Sequence, residues 1–409
     1  MTSAPAAPAQ AADAAESRTR TVFLEPLWKL RGEQEYLLRY PPQGYRFVTR
    51  ATAGEALARR LSRASAAYRA LWWAWRFAPL QLSKPYWERF KRVPHGTELT
   101  YAVLHPVFRR EPWVMDMCGE QPHLLVGDEA MFARLRPLLR RTLASAHCRK
   151  VLYHVDVGKK ALLASLQAPE LSEKVAVVQP AVPARAARRP ERSGPVRLLF
   201  LGSANIDAGW QFRDKGGLVL LEAFRYLRER YPDLELVVRS RVPSAVRKHW
   251  AGVPGVRLIE QTLPAEELER EFLQADVFVC PAHLTPSVTF LDAMSYGLPV
   301  VTTDVWSNPE LVEHGRTGLL VHHPDAHRYI QGYVAHHDWP AFKEAVRSVN
   351  PALVRDFAAA ASTLIEDAEL RRRLGDQGRR EVEDGRFSLA TRNQRLKAVL
   401  DEALELGPA

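Results

Sequence analysis

Apolar residues follow two patterns along this chain. From residue 196 onward, short and almost wholly apolar runs alternate with stretches whose apolar residues recur at helical spacing. The runs Val196–Leu201, Leu234–Val238, Val256–Ile259, Val277–Cys280, Pro299–Thr303 and Gly318–Val321 predict strands. Between them the spacing predicts helices over Gly217–Tyr231, ended by Pro232, over Ala265–Gln274, over Thr289–Tyr296, stopped by Gly297, and over Pro309–His314. Strands that do not alternate bury both faces, which predicts a parallel sheet covered by helices on either side. Right-handed crossovers then bring the C-terminal strand ends and their loops to one edge, where ligands bind. The tail from Asp338 reads as helical, with its last helix over Leu389–Leu404.

The first half shows a less regular form of the same alternation. It predicts strands at Thr21–Glu25, Gly44–Thr49, Thr100–Leu104, Trp113–Met117, Lys150–His154 and Lys174–Val178, and helices over Glu55–Phe77 and Asp128–Ala146. The stretch from Pro183 to Pro195 is rich in proline and arginine and reads as a break. The expected organisation is two α/β domains, 21–183 and 196–385, joined by a linker over 184–195. Residues 1–20 are Ala-rich, lack the apolar core of a signal peptide and read as a disordered lead-in.

Composition adds limits rather than a function. The 409 residues are 46% apolar and 25% charged, as in a folded globular chain. The net charge of +10 favours anionic partners, but arginine is spread throughout, so a nucleic-acid-binding reading rests on charge alone and no nucleic-acid partner is expected. Cys118, Cys148 and Cys280 form no C-x-x-C pair. Cys280 and His283 have ligand-like spacing without a second pair, so no metal and no cofactor are expected. Sparse cysteines fit a reducing compartment, and no apolar stretch is long enough to span a bilayer. The cytoplasm, with membrane association as a variant, is the expected location. The aromatic segment Tyr68–Phe77 reads as a core helix or a headgroup-level helix, and Tyr86, Trp87 and Phe90 among Lys84, Arg89, Lys91 and Arg92 extend a surface suited to peripheral membrane contact.

Three constellations carry candidate chemistry. In the first, Gly202 ends a strand and Lys215-Gly216-Gly217 opens the next helix, which suits a diphosphate, with Arg213 as a forked donor. Taken alone, Lys-Gly-Gly is better explained as a solvated loop lysine before an ordinary helix. In the second, a hydroxyl-rich loop leads from Cys280 to a helix starting at Ser287–Thr289, whose amides suit an anion. Asp292, one turn in, can accept from ribose hydroxyls; the plainer readings are N-capping by Thr285, Ser287 and Thr289 and a dipole role for Asp292. In the third, Asn308-Pro309-Glu310, Glu310 complements the dipole of its own helix.

Taken in order, these pieces resemble the retaining nucleotide-sugar glycosyltransferases of family 4. The resemblance runs through Leu199-Phe200-Leu201-Gly202, Lys215-Gly216-Gly217, Asp276–Pro281, Leu291–Val301, Asn308–Val312 and His314–Val321, with further likeness at Leu370–Arg379, Gly385–Ser388, Cys148–Tyr153 and Lys174–Pro180. It implies a GT-B fold, two Rossmann-like parallel-sheet domains facing a central cleft, with the final segment 386–409 crossing back to the first domain. It implies sugar transfer with retention from a nucleotide-diphosphate donor to a hydroxyl acceptor: a glycan, a lipid-linked acceptor or a small molecule. Lys215 would contact the diphosphate, Gly202 would keep the cleft open, Asp292 would hold the ribose, and Ser287, Val288 and Thr289 would offer amides. Glu310 belongs to the donor side.

The chain departs from that family at named positions. Leu284 stands where the first Glu of the E-x7-E motif is expected, and Ser203 where Arg often follows the strand glycine, with Arg213 as a substitute. The catalytic His would fall near Asp116-Met117-Cys118, which holds none; His105 and Asp116, with Glu120, are the acid/base candidates at that edge. A non-catalytic relative that binds a sugar nucleotide or acts as a scaffold is the alternative reading.

Overall fold

Runs of Val, Leu, Ile and Phe without alternation leave no face for water, and both halves of the chain resolve this by building a parallel sheet under helices. The computed structural model describes residues 19–26, 30, 32–50, 90–119, 121–126, 129–190, 194–202, 210–334 and 339–405. The first sheet holds β1 (Arg20–Pro26), β2 (Tyr45–Val48), β3 (Leu99–Val103), β4 (Trp113–Asp116), β5 (Cys148–Tyr153) and β6 (Val175–Val177) in the order β2-β1-β3-β4-β5-β6. The second holds β7 (Arg197–Leu201), β8 (Glu235–Arg239), β9 (Val256–Ile259), β10 (Val277–Cys280), β11 (Val300–Thr303) and β12 (Gly318–Val321) in the order β12-β11-β10-β7-β8-β9. Every pairing between these strands is parallel.

Both orders contain one reversal. In the second sheet the chain runs outward from β7 through β8 and β9, then returns to the other side of β7 at β10. In the first, β1 has β2 on one side and β3 on the other. Loops leaving adjacent strands in opposite directions open a crevice at such a point, so topology assigns the ligand edge to the ends of β7 and β10 and of β1 and β3.

Each sheet has its own core. Leu198, Leu199, Phe200, Phe224, Phe278 and Phe290 are fully buried in the second, and Val22, Leu24, Trp113, Val114 and Met115 in the first. Helix Gly217–Arg230 packs Val219, Leu220, Ala223, Phe224 and Leu227 inward, one stripe of a 3.6-residue repeat. The last helix, Leu389–Glu405, follows the second sheet in sequence yet buries Leu396, Leu400 and Ala403 in the first sheet's core. Arg392 and Asn393 on it bond the Tyr40 carbonyl at 3.1 and 3.3 Å.

Among the described residues, four α-helices were not legible in the sequence: Gly32–Arg39, Asp156–Leu166, Trp210–Asp214 and Ser244–Trp250. All are short, and the second begins after Val155 without any side-chain cap of its own. Its first turn is completed from the other half of the molecule, as described below. The expected helix Glu55–Phe77, the aromatic segment Tyr68–Phe77, Tyr86, Trp87 and the lead-in before residue 19 lie outside the described residues. Among the described residues no helix is long and apolar enough to cross a membrane.

Candidate functional site

The reversal in the second sheet gathers the loops that carry most of the candidate donor residues. Gly202 follows β7 at a place where a side chain has no room: a Cβ there would lie 2.0 Å from Ser240 Oγ. Gly216 has φ +76°, and a Cβ on it would meet the Pro281 carbonyl oxygen at 1.8 Å. The loops after β7 and β10 therefore touch backbone to backbone, and only glycine allows it. The His283 amide fastens the same two loops by donating to the Asp214 carbonyl at 2.8 Å.

Lys215 is held between these loops. Its Nζ donates to the Leu201 carbonyl at 3.1 Å and to Thr289 Oγ1 at 3.3 Å, spanning from the end of β7 to the first turn of helix Ser287–Ser295. Loss of solvent pushes the ammonium below its usual range, and Arg239 nearby pushes in the same direction. Arg239, at the end of β8, donates Nη1 to the Gly202 carbonyl at 3.1 Å, while its Nε has no partner among the described residues. Burial also lowers its pKa. Two partly desolvated cations beside one strand end form a site for an anion.

Helix Ser287–Ser295 supplies the other half. Pro286 is its N-cap and no side chain caps it, so the hydroxyls of Ser287 and Thr289 are not capping groups. The Thr289 amide is used by the Pro286 carbonyl at 3.0 Å, whereas the Ser287 and Val288 amides carry no hydrogen bond among the described residues. Those two N–H groups and the Thr289 hydroxyl face the same task as Lys215.

Asp292 does not serve as a first-turn dipole complement. Its Oδ1 accepts from Arg185 Nη2 at 3.4 Å, and Arg185 in turn lies over the Tyr296 ring at 5.3 Å. Burial pushes the Asp292 carboxyl up to about 6, against Arg185. Arg185 is fixed by its own carbonyl, which accepts from Arg379 Nη2 at 2.5 Å. The residues called a linker thus reach into the cleft. Arg213 lies on helix Trp210–Asp214, partly buried, with its Nε unpartnered among the described residues.

Glu310 corrects an expectation. The sequence places it on the donor side and in the dipole of its own helix. Instead its two carboxylate oxygens accept from the backbone amides of Asp156 and Val157 at 2.6 and 2.8 Å. Those amides open helix Asp156–Leu166 of the first domain, so Glu310 caps a helix across the cleft.

At the first sheet's edge the two acid/base candidates sit apart. His105 follows β3, at that sheet's reversal. It is 1% exposed, with Nε2 3.1 Å from the Glu25 carbonyl and Nδ1 3.3 Å from the Pro106 carbonyl. Beside it Glu25 pairs with Arg109 and Lys91, each at 2.6 Å. Burial opposes the Glu25 charge, but His105, Arg109 and Lys91 bring its pKa down to about 2.

Asp116, at the end of β4, accepts from Tyr101 Oη at 2.9 Å and from the Cys118 amide at 2.7 Å. His154, just past β5, completes the group. Its Nε2 lies 3.3 Å from Asp116 and its Nδ1 3.5 Å from Glu33. Burial disfavours the imidazolium, yet Glu33 and Asp116 outweigh it and raise the His154 pKa to about 10. A histidine does stand beside Asp116, then, but it comes from the next strand. Its position one residue past an apolar strand was the signal available in sequence. Arg392 of the last helix borders this group. Glu33, Cys118 and His154 place ligand atoms within 4.8 Å of one another, but both His154 nitrogens are already turned to carboxylates, which makes the set an ion-pair network. Glu120 lies outside the described residues.

Leu284 is partly buried and packs against Tyr329, Phe342, Ala345 and Val346. An aliphatic residue there is explained by this small apolar cluster, which covers the far end of the loop.

Residues 195–338 match the family described as Glycosyl transferases group 1. A segment of 103 residues is 36% identical to the alpha-maltose-1-phosphate synthase of Mycolicibacterium smegmatis, covering 22% of this chain and 27% of that protein. A second, of 157 residues, is 33% identical to the D-inositol 3-phosphate glycosyltransferase of Pseudarthrobacter chlorophenolicus, covering 36% of each. The chain spans about a third of the length of the curated relatives it matches. Among solved structures, Anabaena HepE in complex with UDP and glucose superposes with a TM-score of 0.56 over 94% of this chain and 100% of that one, at 14% identity. A glycosyltransferase from Rickettsia africae superposes with a TM-score of 0.62 over 95% and 99%, at 12% identity. The fold is the GT-B fold of these glycosyltransferases.

Proposed function

We propose that this chain, whose residues 195–338 form a group 1 glycosyl transferase domain, moves a sugar from a nucleotide-diphosphate donor to a hydroxyl acceptor with retention at the anomeric carbon. The observation that carries the reading is Lys215, bridging the end of β7 and the first turn of helix Ser287–Ser295 at the sheet reversal. As the donor bond breaks, charge builds on the departing diphosphate. Lys215, Arg239 and the amides of Ser287 and Val288 are already oriented to stabilise it, without metal assistance in this reading. Asp292 takes the ribose hydroxyls, exchanging its bond to Arg185 for them. Asp116 and His105 border the acceptor side. UDP-glucose, with which HepE forms a complex, is the first probe for this chain.

Calorimetric titration of UDP, GDP and ADP into the full chain tests the site. One of them binds, and Lys215→Ala weakens it about 10- to 100-fold, the loss of a charge-assisted contact. Failure of all three to bind overturns the reading.

A second reading, a sugar-nucleotide-binding relative without transfer, is favoured by the contacts that engage both nitrogens of His105 and by the closed network around Asp116. Release of free sugar or transfer product from a bound nucleotide sugar distinguishes the two.

A further inference from the structure

A buried histidine pair stands at the ends of β10 and β12, outside the contacts assigned above. His283, three residues past β10, is 2% exposed, and His323, two past β12, is 1% exposed. His323 Nε2 lies 2.8 Å from His283 Nδ1. The Asp325 amide donates to His323 Nδ1 at 3.2 Å. In a neutral ring only one nitrogen carries hydrogen, so the His323 proton is on Nε2 and is donated to His283 Nδ1. The His283 proton is thereby fixed on Nε2. Burial, with His323 beside it, pushes His283 down to about 3, and burial pushes His323 down to about 4, so both rings are neutral near pH 7. Tyr329 secures the arrangement by donating to the His283 carbonyl at 3.2 Å.

The relay ends in an N–H with no partner among the described residues. Nε2 is not closed off inside the protein, so the fixed tautomer presents there a donor that an oxygen of a bound molecule can accept from. The residue that carries it belongs to the loop of the candidate site. Its amide bonds Asp214, the neighbour of Lys215, and the Ser287 and Val288 amides follow four and five residues later.

We propose that His283 is a donor-binding residue, its Nε2–H donating to a lone-pair oxygen of the bound sugar nucleotide, on the sugar or on its phosphate, with His323 as the positioning residue that sets the tautomer. This rests on the sugar-nucleotide site proposed above.

The test uses the full chain with UDP, GDP and ADP and their glucose conjugates, by calorimetry. His283→Asn keeps an acceptor for His323 and loses the outward N–H; His283→Gln carries an amide N–H to about the Nε2 position. The Asn variant is expected to weaken binding about 10-fold and the Gln variant to stay within about 3-fold of the parent, the range of one hydrogen bond. Loss for a glucose conjugate but not its nucleoside diphosphate assigns the bond to the sugar; equal loss for both assigns it to phosphate. Should the Asn variant melt early, imidazole nitrogen shifts in the parent give the same answer: the His283 Nε2–H signal moves on addition of the binding nucleotide. A parent that binds no probe overturns the site and this inference together. A parent that binds while the Asn variant and the Nε2–H signal are unaffected overturns the role of His283 alone.

Discussion

Two groups of buried histidines respond to pH in opposite senses. His154 has a folded pKa of about 10 against an ordinary 6.5, because Glu33 and Asp116 outweigh its burial. Its stabilisation is complete below about pH 6.5 and is lost as pH rises toward 10. His283 and His323, at about 3 and 4, are buried neutral. The unfolded chain takes up protons that they cannot, so stability also falls as pH drops below about 6.5. The melting temperature is therefore expected to crest near neutral pH, and His154→Gln should flatten the alkaline side of the curve. His154→Ala leaves the buried Asp116 carboxylate, and the half-buried Glu33, without their cation and should cost about 3–5 kcal/mol by denaturant unfolding. At this scale the sequence was only partly legible. Lys215, Gly202 and Thr289 meet where the strand–loop–helix pattern put them, because each lies in the loop after a strand or in the first turn of the helix that this loop opens. Arg239, His154 and Arg185 reach their sites from other strands or from the linker, and spacing along the chain has no term for that.

Among the elements, helix Asp156–Leu166 shows most directly how the two halves depend on each other. Its first two amides are satisfied by Glu310 of the other domain and by no cap of its own. Glu310→Gln should keep the geometry but weaken the charge, and Glu310→Ala should remove the cap at about 1–2 kcal/mol. Small-angle scattering should then show a wider distribution of domain separations for the Ala variant; an unchanged profile would mean that other contacts hold the cleft. Gly216→Ala is expected to be worse, since it places a Cβ against the Pro281 carbonyl in a left-handed conformation. It should abolish nucleotide binding even where the chain still folds. The periodic helix Gly217–Arg230 and the unbroken apolar strand β10 were readable because their burial follows from their own residue pattern. The short helix Asp156–Leu166 was not, because it is stabilised by a residue more than 150 positions away.

For the molecule as a whole, the last helix joins the halves. It follows the second sheet and its helices in sequence but completes the first sheet's core through Leu396, Leu400 and Ala403, and Tyr45 Oη donates to its Asp401 at 2.6 Å. Ending the chain after residue 385 should leave the first core uncovered and the product aggregated, while Leu400→Ala should cost about 2–5 kcal/mol, visible as a lowered melting temperature. The amino-acid order sufficed for the class of architecture: unbroken apolar runs must be buried on both faces, which requires parallel sheets between helices, and that geometry puts the loops carrying Gly202 and Lys215 at the ligand edge. What only folding in three dimensions decided is which groups from distant segments meet. Arg185 on Asp292, Glu310 on a foreign helix, His154 on Asp116 and His323 on His283 are pairings between separate segments of the chain. Their energies come from desolvation and short-range hydrogen bonding, which depend on separation in space and not on distance along the chain.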